Sequence, residues 1–416
     1  MADLYTVDDA LTRILASVNP LAPETVPLES VLGRILAQDV IAPTPVPSFA
    51  NSSMDGYALN ASDTTGASQE NPVKLAVSMD IPAGKAPETD LQPGTAARIM
   101  TGAVMPHGAN AVIPVENTDS QWSALDPTPP HEVLFYSAAQ PGDNVRPVGE
   151  DIQQGATVLK AGELLRPQEI GILASLGIAQ IPVVRRPRVA IISTGDELAA
   201  PDQPLRPGQI RDSNSYTVAA LVTTYGGIPI RIPTARDTLD DVRHRFREAL
   251  SHQPDVILSS AGVSVGAFDV VRTVLDELGE VNFWRVNIRP GKPLAFGHLE
   301  QVPFLGLPGN PVSAMVTFDV FVRPLLQKLG SRPDDTQTTT ALLGEGLKTD
   351  GRRTYLRVRL TQENGRLVAH TTGTQSSGAL MSMVLADGLL IIPEGMTVVT
   401  PGSELPVRLL RWMNIS

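Results

Sequence analysis

VAIISTGDEL (Val189–Leu198), DVILSSAGVSVGAFD (Asp255–Asp269) and FLGLPGNPVSA (Phe304–Ala314) share one grammar: an apolar run, a loop rich in Gly, Ser, Pro or Asp, and then a helical period. Short, wholly apolar runs suit strands covered on both faces, and strands that alternate with helices build a parallel sheet. After TGDE, Val218, Leu221, Val222 and Tyr225 fall on one face of a helix that ends at Gly226. Val271, Val274, Leu275 and Leu278 repeat the pattern after the second loop, and Met315, Val316, Phe318, Val322 and Leu325 after the third. Pro324 has no N–H to donate, so it is expected to end or kink that last helix. Thr238 and Asp241 frame a further helix start. Residues 188–330 therefore read as a three-layer α/β domain around a mostly parallel sheet.

Outside this stretch the grammar changes. After Ser331 the helical period gives way to alternation, with Leu356, Val358 and Leu360 facing one way and Arg357 and Arg359 the other. Asn364-Gly365 tolerates positive φ at both residues and signals a two-residue hairpin, so residues 331–416 read as a small antiparallel β-barrel or sandwich, the barrel being preferred. At the other end, Val7, Ala10, Leu11, Ile14, Leu15 and Val18 follow Thr6 at helical spacing, with Asp9 placed as a capping acid. A second short helix is expected over Glu29–Ala37, before the prolines of TPVP break the chain. Short β-like runs between Gly/Pro turns then make residues 47–141 an inserted β-rich domain, with DPTPP (Asp126–Pro130) at a hairpin tip. Residues 1–46 and 142–187 are left as one discontinuous linker or dimerisation domain.

With 416 residues the chain exceeds one hydrophobic core, and 42% hydrophobic against 19% charged residues is ordinary globular usage. The absence of cysteine excludes disulfides, thiolate nucleophiles and Cys-ligated zinc or iron–sulfur clusters. None of the six histidines pairs at a spacing of three to five residues, so any metal should be a hard, oxygen-bound ion. A net charge of −11 argues against nucleic acid and anionic membranes as partners. An acidic N-terminus and the lack of an apolar run of about 18 residues point to the cytoplasm.

In parallel α/β sheets, ligands settle where strands end and helices begin, because free N–H groups and the helix dipole point there. STGDE offers Ser193, Thr194, Gly195 and Glu197, hydroxyls and acids able to hold Mg²⁺, though helix capping is the plainer reading. SSAGVSVGAFD offers Ser260, Gly262, Ser264, Gly266 and Asp269 as an anion nest, or an ordinary strand-to-helix turn. GLPGNPVSA fixes Gly309 and Asn310 between Pro308 and Pro311, with Ser313 inside the following helix; simple punctuation by Pro311 is the alternative. RVNIRPGKPLAFG could gather Arg285, Arg289 and Lys292 for a phosphate or oxyanion, on a chain with only six lysines; a solvated strand face is the alternative, above all for Arg285. Asp55 in SSMDGYAL, Thr101 in MTGAVMP and Asp151 in GEDI sit in polar turns.

NSSMDGYAL, IMTGAVMPHGANAVIPVE, RPVGEDI, ISTGDEL, RDSN, SSAGVSVGAFD, RPGKPLAFG and GLPGNPVSA occur in one order along the chain. In that order the sequence resembles the molybdopterin molybdenumtransferases, the MoeA and gephyrin E-domain family, over essentially its whole length. The resemblance implies Mg²⁺-dependent insertion of molybdate into adenylyl-molybdopterin with release of AMP. It also implies an elongated homodimer, with the cleft between the α/β domain and the inserted domain of the partner subunit. Asp55 and Thr101 would then act across the interface, and Asp151, Glu197, Asp237 and Asp269 match the family's acidic residues. Glu197, Asp269, Asp55 and Asp151 become the metal candidates, and Asp55, Thr101, Glu197, Asp269 and Lys292 the catalytic set. Two positions often lysine in relatives are Arg285 and Arg289 here, which keep the charge but do not readily deprotonate. Transient partners would be the adenylyltransferase and a molybdoenzyme or chaperone acceptor. The alternatives are a molybdopterin adenylyltransferase, disfavoured by the SMDGY, TGA and GEDI segments, and a non-enzymatic scaffold.

Overall fold

The computed structural model describes residues 4–122, 128–260 and 268–410; the side chains of Phe268, Asp269 and Phe283 lie outside the description. It resolves into two compact units: residues 1–25, 33–37 and 182–416 form one, and residues 26–32 with 38–181 the other.

The larger unit is built on a seven-stranded sheet in the order Leu4–Tyr5, Gly279–Val286, Pro293–Leu299, Val302–Leu307, Val256–Ser260, Arg188–Ser193, Ile228–Arg231. Six strands run the same way, and Pro293–Leu299 alone is antiparallel to both neighbours. Alternate residues feed opposite cores. Val189, Ile191, Val256 and Leu258 pack with the helices Val7–Ala16, Asn214–Thr224 and Pro311–Thr317, through Ile14, Val218 and Val316. Ala190, Ile192 and Ile257 pack with Leu239–Ser251 and Phe268–Leu278, through Phe246 and Val274. Both faces are covered, which is why Val189–Ile192 and Val256–Leu258 are apolar without alternation. Each Val, Leu, Ile or Phe among them contributes about 1.5–3 kcal/mol on full burial.

Local signals act as the residues dictate. Thr6 Oγ1 accepts from the Asp9 amide at 3.1 Å, and Thr238 does the same for Asp241 at 3.4 Å. Of the two outcomes expected at Pro324, the helix does not end. It widens into a π turn over Phe318–Val322, where the Arg323 amide donates to the carbonyl of Phe318, before resuming as Arg323–Leu329. The wide turn is how the chain accommodates a proline that cannot donate. The helix expected over Glu29–Ala37 is also replaced. Only a 3₁₀ turn, Leu28–Ser30, forms, and the Ile35 carbonyl and Ala37 amide pair instead with Val184 and Pro182 as in a strand ladder. Backbone partners across the chain outcompete local helical bonds there.

Residues 338–409 close a five-stranded barrel: Arg353–Glu363, Arg366–Thr371, Thr338–Leu343, Glu404–Leu409, Gly388–Ile392, then back to Arg353–Glu363. Asn364 and Gly365 both adopt positive φ, 51° and 76°, in the two-residue turn. Ile288–Arg289 joins the barrel edge by pairing with Arg353 and Thr354.

The smaller unit holds a five-stranded sheet in the order Ala111–Pro114, Gly56–Leu59, Thr95–Ile99, Val73–Ile81, Glu132–Phe135. Tyr57, Val133 and Phe135 fill one side and Ala58, Ile81 and Ile99 the other. Of the expected DPTPP hairpin tip, Asp126 and Pro127 lie outside the described residues.

Candidate active site

The parallel strands deliver their C-terminal ends to one edge of the sheet, where a cavity of about 990 Å³ opens between the strand-to-helix loops and the barrel of the same unit. Hydroxyls crowd that edge. Ser193 Oγ lies 3.1 Å from Ser260 Oγ, while Thr194 Oγ1 and Ser259 Oγ are buried with no hydrogen-bond partner among the described residues. Buried polar atoms are costly to leave unpaired, so this edge is suited to a polar ligand.

Glycine decides the shape of the first loop. Gly195 has φ +145°, and a Cβ there would sit 2.4 Å from Glu197 Oε2, so the Glu197 carboxylate folds over a backbone that only glycine leaves open. Asp196 and Asp237 each offer a carboxylate oxygen to the other's amide at 3.4 Å, and Asp237 Oδ1 remains buried without a partner among the described residues. The RDSN segment then ties the loops together. The Ile210 amide donates to the Glu197 carbonyl at 2.8 Å, and Asn214 Nδ2 donates to the Gly309 carbonyl at 2.7 Å. Asn310 adopts extended φ/ψ ahead of Pro311, the first residue of its helix, and the Val312 amide reaches the Ser377 carbonyl of the barrel segment.

Positive charge dominates the ionic lining: Arg211, Arg289, Lys292, Arg352 and Arg357 against the carboxylates of Glu197 and Asp212. Arg357 is only 1% exposed. Its Nε donates to Ser382 Oγ and its Nη2 to the Ser376 carbonyl, both at 3.1 Å, and no carboxylate among the described residues pairs with it. Burial, reinforced by the neighbouring Arg289, pushes its pKa down. A guanidinium held dry beside another cation gains most when an anion arrives.

Of the residues singled out from sequence, Glu197, Ser260, Arg289, Lys292, Pro308, Gly309, Asn310, Pro311 and Ser313 line the cavity. Ser193, Thr194, Gly195 and Asp237 flank that edge without being lining residues, and Arg285 is exposed on the strand Gly279–Val286, also off the lining. Gly262, Ser264, Gly266 and the Asp269 side chain lie outside the described residues. Asp55, Thr101 and Asp151 belong to the smaller unit. There Asp55 Oδ1 accepts from the Thr101 amide at 2.7 Å and its hydroxyl at 2.8 Å.

Sequence reasoning missed the barrel wall. Arg357 falls on the strand face opposite the barrel core, where solvent is the default expectation, but the segment carrying Ser376 and Ser382 crosses that face and buries it. The polar run TQSSG (Thr374–Gly378) is the one available hint.

The chain's relatives agree with this architecture. Residues 5–177 match the MoeA N-terminal region (domain I and II), residues 190–328 a probable molybdopterin binding domain, and residues 340–410 the MoeA C-terminal region (domain IV). Molybdopterin molybdenumtransferase 2 of Mycobacterium tuberculosis is 42% identical over 92% of this chain and 94% of its own length. The molybdopterin molybdenumtransferase of Bacillus subtilis is 35% identical over 98% and 94%. A crystal structure of the molybdopterin biosynthesis MoeA protein from Pyrococcus horikosii superposes with a TM-score of 0.81 at 35% identity, covering 99% of this chain and 100% of that one. The chain belongs to the MoeA family.

Proposed function

We propose that this chain is a transferase of molybdenum-cofactor biosynthesis that inserts molybdate into adenylyl-molybdopterin and releases AMP. The observation that carries the reading is the cluster of Arg289, Lys292, Arg352 and Arg357 around one cavity of a chain whose net charge is −11. Molybdate and a pterin nucleotide are both anions, and bringing them together requires cationic groups that neutralise both at once. Arg357, free of any carboxylate among the described residues, and Lys292 suit the oxyanion; the Ser260, Ser313 and Pro308–Pro311 loops suit the nucleotide. Family matches along all three regions favour insertion over adenylylation by the central domain alone.

We infer a Mg²⁺ site at this edge, although no three acids converge there among the described residues: Glu197 lines the cavity, and Asp237, paired with the adjacent Asp196, keeps a buried oxygen without a partner among the described residues. Mg²⁺ is commonly held by one or two carboxylates plus substrate phosphate and water, so no larger acidic cluster is required. Glu197 and Asp237, with Asp269, would hold it, and it would supply charge neutralisation on the phosphate. We infer that the working form is a homodimer whose cleft receives Asp55 and Thr101, with Asp151, from the partner subunit, and that the reaction runs in the cytoplasm. Transient hand-over from an adenylyltransferase and to a molybdoenzyme or chaperone follows from the chemistry of substrate and product. We infer a division into residues 1–46 with 142–187, 47–141, 188–330 and 331–416, in which the first strand and helix of the chain, Leu4–Tyr5 and Val7–Ala16, are lent to the α/β core.

Purified protein supplied with adenylyl-molybdopterin, Mg²⁺ and molybdate should release AMP. Glu197→Ala and Asp269→Ala should each lower that rate by at least roughly tenfold, with unchanged thermal unfolding. Equal turnover in either variant removes the metal role assigned to that residue.

A further inference from the structure

The arginines on the barrel side of the cavity, Arg289, Arg352 and Arg357, are not equivalent. Arg357 pairs with no carboxylate among the described residues, whereas Arg289 and Arg352 converge on Asp350, a residue outside the cavity lining. Arg352 Nε donates to Asp350 Oδ2 at 3.0 Å, and Arg289 Nη1 lies 3.7 Å from the same oxygen. The turn that carries Asp350 is fixed by its backbone: the Thr349 amide donates to the Thr397 carbonyl, and the Gly351 carbonyl accepts from the Gly395 amide. Arg352 has a second anchor, since its Nη1 donates to the Ile288 carbonyl at 3.1 Å. The Asp350 side chain adds one long contact, its Oδ1 accepting from the Arg352 amide at 3.3 Å, to a turn already fixed by other bonds, and it is charged at neutral pH, because the Arg352 hydrogen bond holds its pKa down to about 2.

We propose that Asp350 is a built-in competitor anion, whose carboxylate occupies Arg289 and Arg352 until an anionic substrate displaces it and which reclaims them when product leaves. The proposal rests on the cavity being an oxyanion and phosphate site. It makes Asp350 a specificity-determining residue that sets how tightly anions are held, and it divides the cavity into an open half at Arg357 and a latched half at Arg289 and Arg352.

The test is isothermal titration of the full-length protein with sodium molybdate and, separately, with AMP, at one fixed ionic strength. Asp350→Asn keeps size and a hydrogen-bond acceptor for Arg352 but removes the charge. It should tighten one or both anions by about three- to tenfold. Loss of a brace would weaken binding, whereas removal of a charge that competes for Arg289 and Arg352 tightens it. Unchanged or weaker affinity in Asp350→Asn, alongside measurable wild-type binding, overturns the proposal and leaves the cavity assignment standing. Binding of neither anion by either protein overturns both. Binding by the variant alone supports the latch in its strongest form. If Asp350→Asn does not fold, Asp350→Ser is read in the same way.

Discussion

Arg357 shows how burial turns an ordinary residue type into a site. On a solvated strand face a guanidinium is a solubility group; here it is dry, anchored by Ser382 and the Ser376 carbonyl, and short of a counter-charge among the described residues. Arg357→Ala should weaken molybdate binding by roughly 10–100-fold, the value of a charge-assisted hydrogen bond, while Arg285→Ala, off the lining, should leave it within about twofold. Titration calorimetry reads both. Glu197 was legible in the sequence because a strand-to-helix loop with Gly195 restricts where its carboxylate can go. Arg357 was not, because period-two alternation reports which face a residue occupies and is silent on what covers that face.

Among elements, the helix that begins at the cavity with Pro311 is tied to the barrel by a buried ionic network. Asp319, inside the π turn, accepts from Arg323 at 3.1 Å and from Arg408 of the strand Glu404–Leu409 at 2.6 Å, and Arg323 also reaches Asp335 at 2.7 Å. Asp319→Ala strips both arginines of this carboxylate and should cost about 3–5 kcal/mol, measured by urea unfolding. A loss below about 1 kcal/mol would mean that solvent compensates. Thr6, Thr238 and Asn364-Gly365 could be read directly because caps and tight turns are local chemistry. Glu29–Ala37 and the π turn at Phe318–Val322 could not, since the first is decided by partners at Pro182 and Val184 and the second by how a helix resolves one missing donor.

For the whole molecule, acid should be the weak flank. Hydrogen bonds lower the pKa of Asp8 through Arg353, of Glu169 through Arg166, of Glu345 through Thr371 and of Asp350 through Arg352. A carboxylate whose folded pKa is depressed contributes its full stability above its unfolded value, near 4, and loses it as pH falls through the folded one. The melting temperature should therefore hold steady from neutrality to about pH 4 and fall between about pH 4 and pH 2. A decline that began near pH 6 would assign the weakness to histidine instead.

The whole-molecule claim is that one cationic cavity receives both anions of a metal-insertion reaction. A crystal structure of the protein soaked with AMP and molybdate tests it most directly. The account predicts molybdate against Lys292 and Arg357, with the AMP phosphate on the loops that carry Ser260 and Gly309. Both anions bound elsewhere, with the Arg357 guanidinium still untouched, would contradict it.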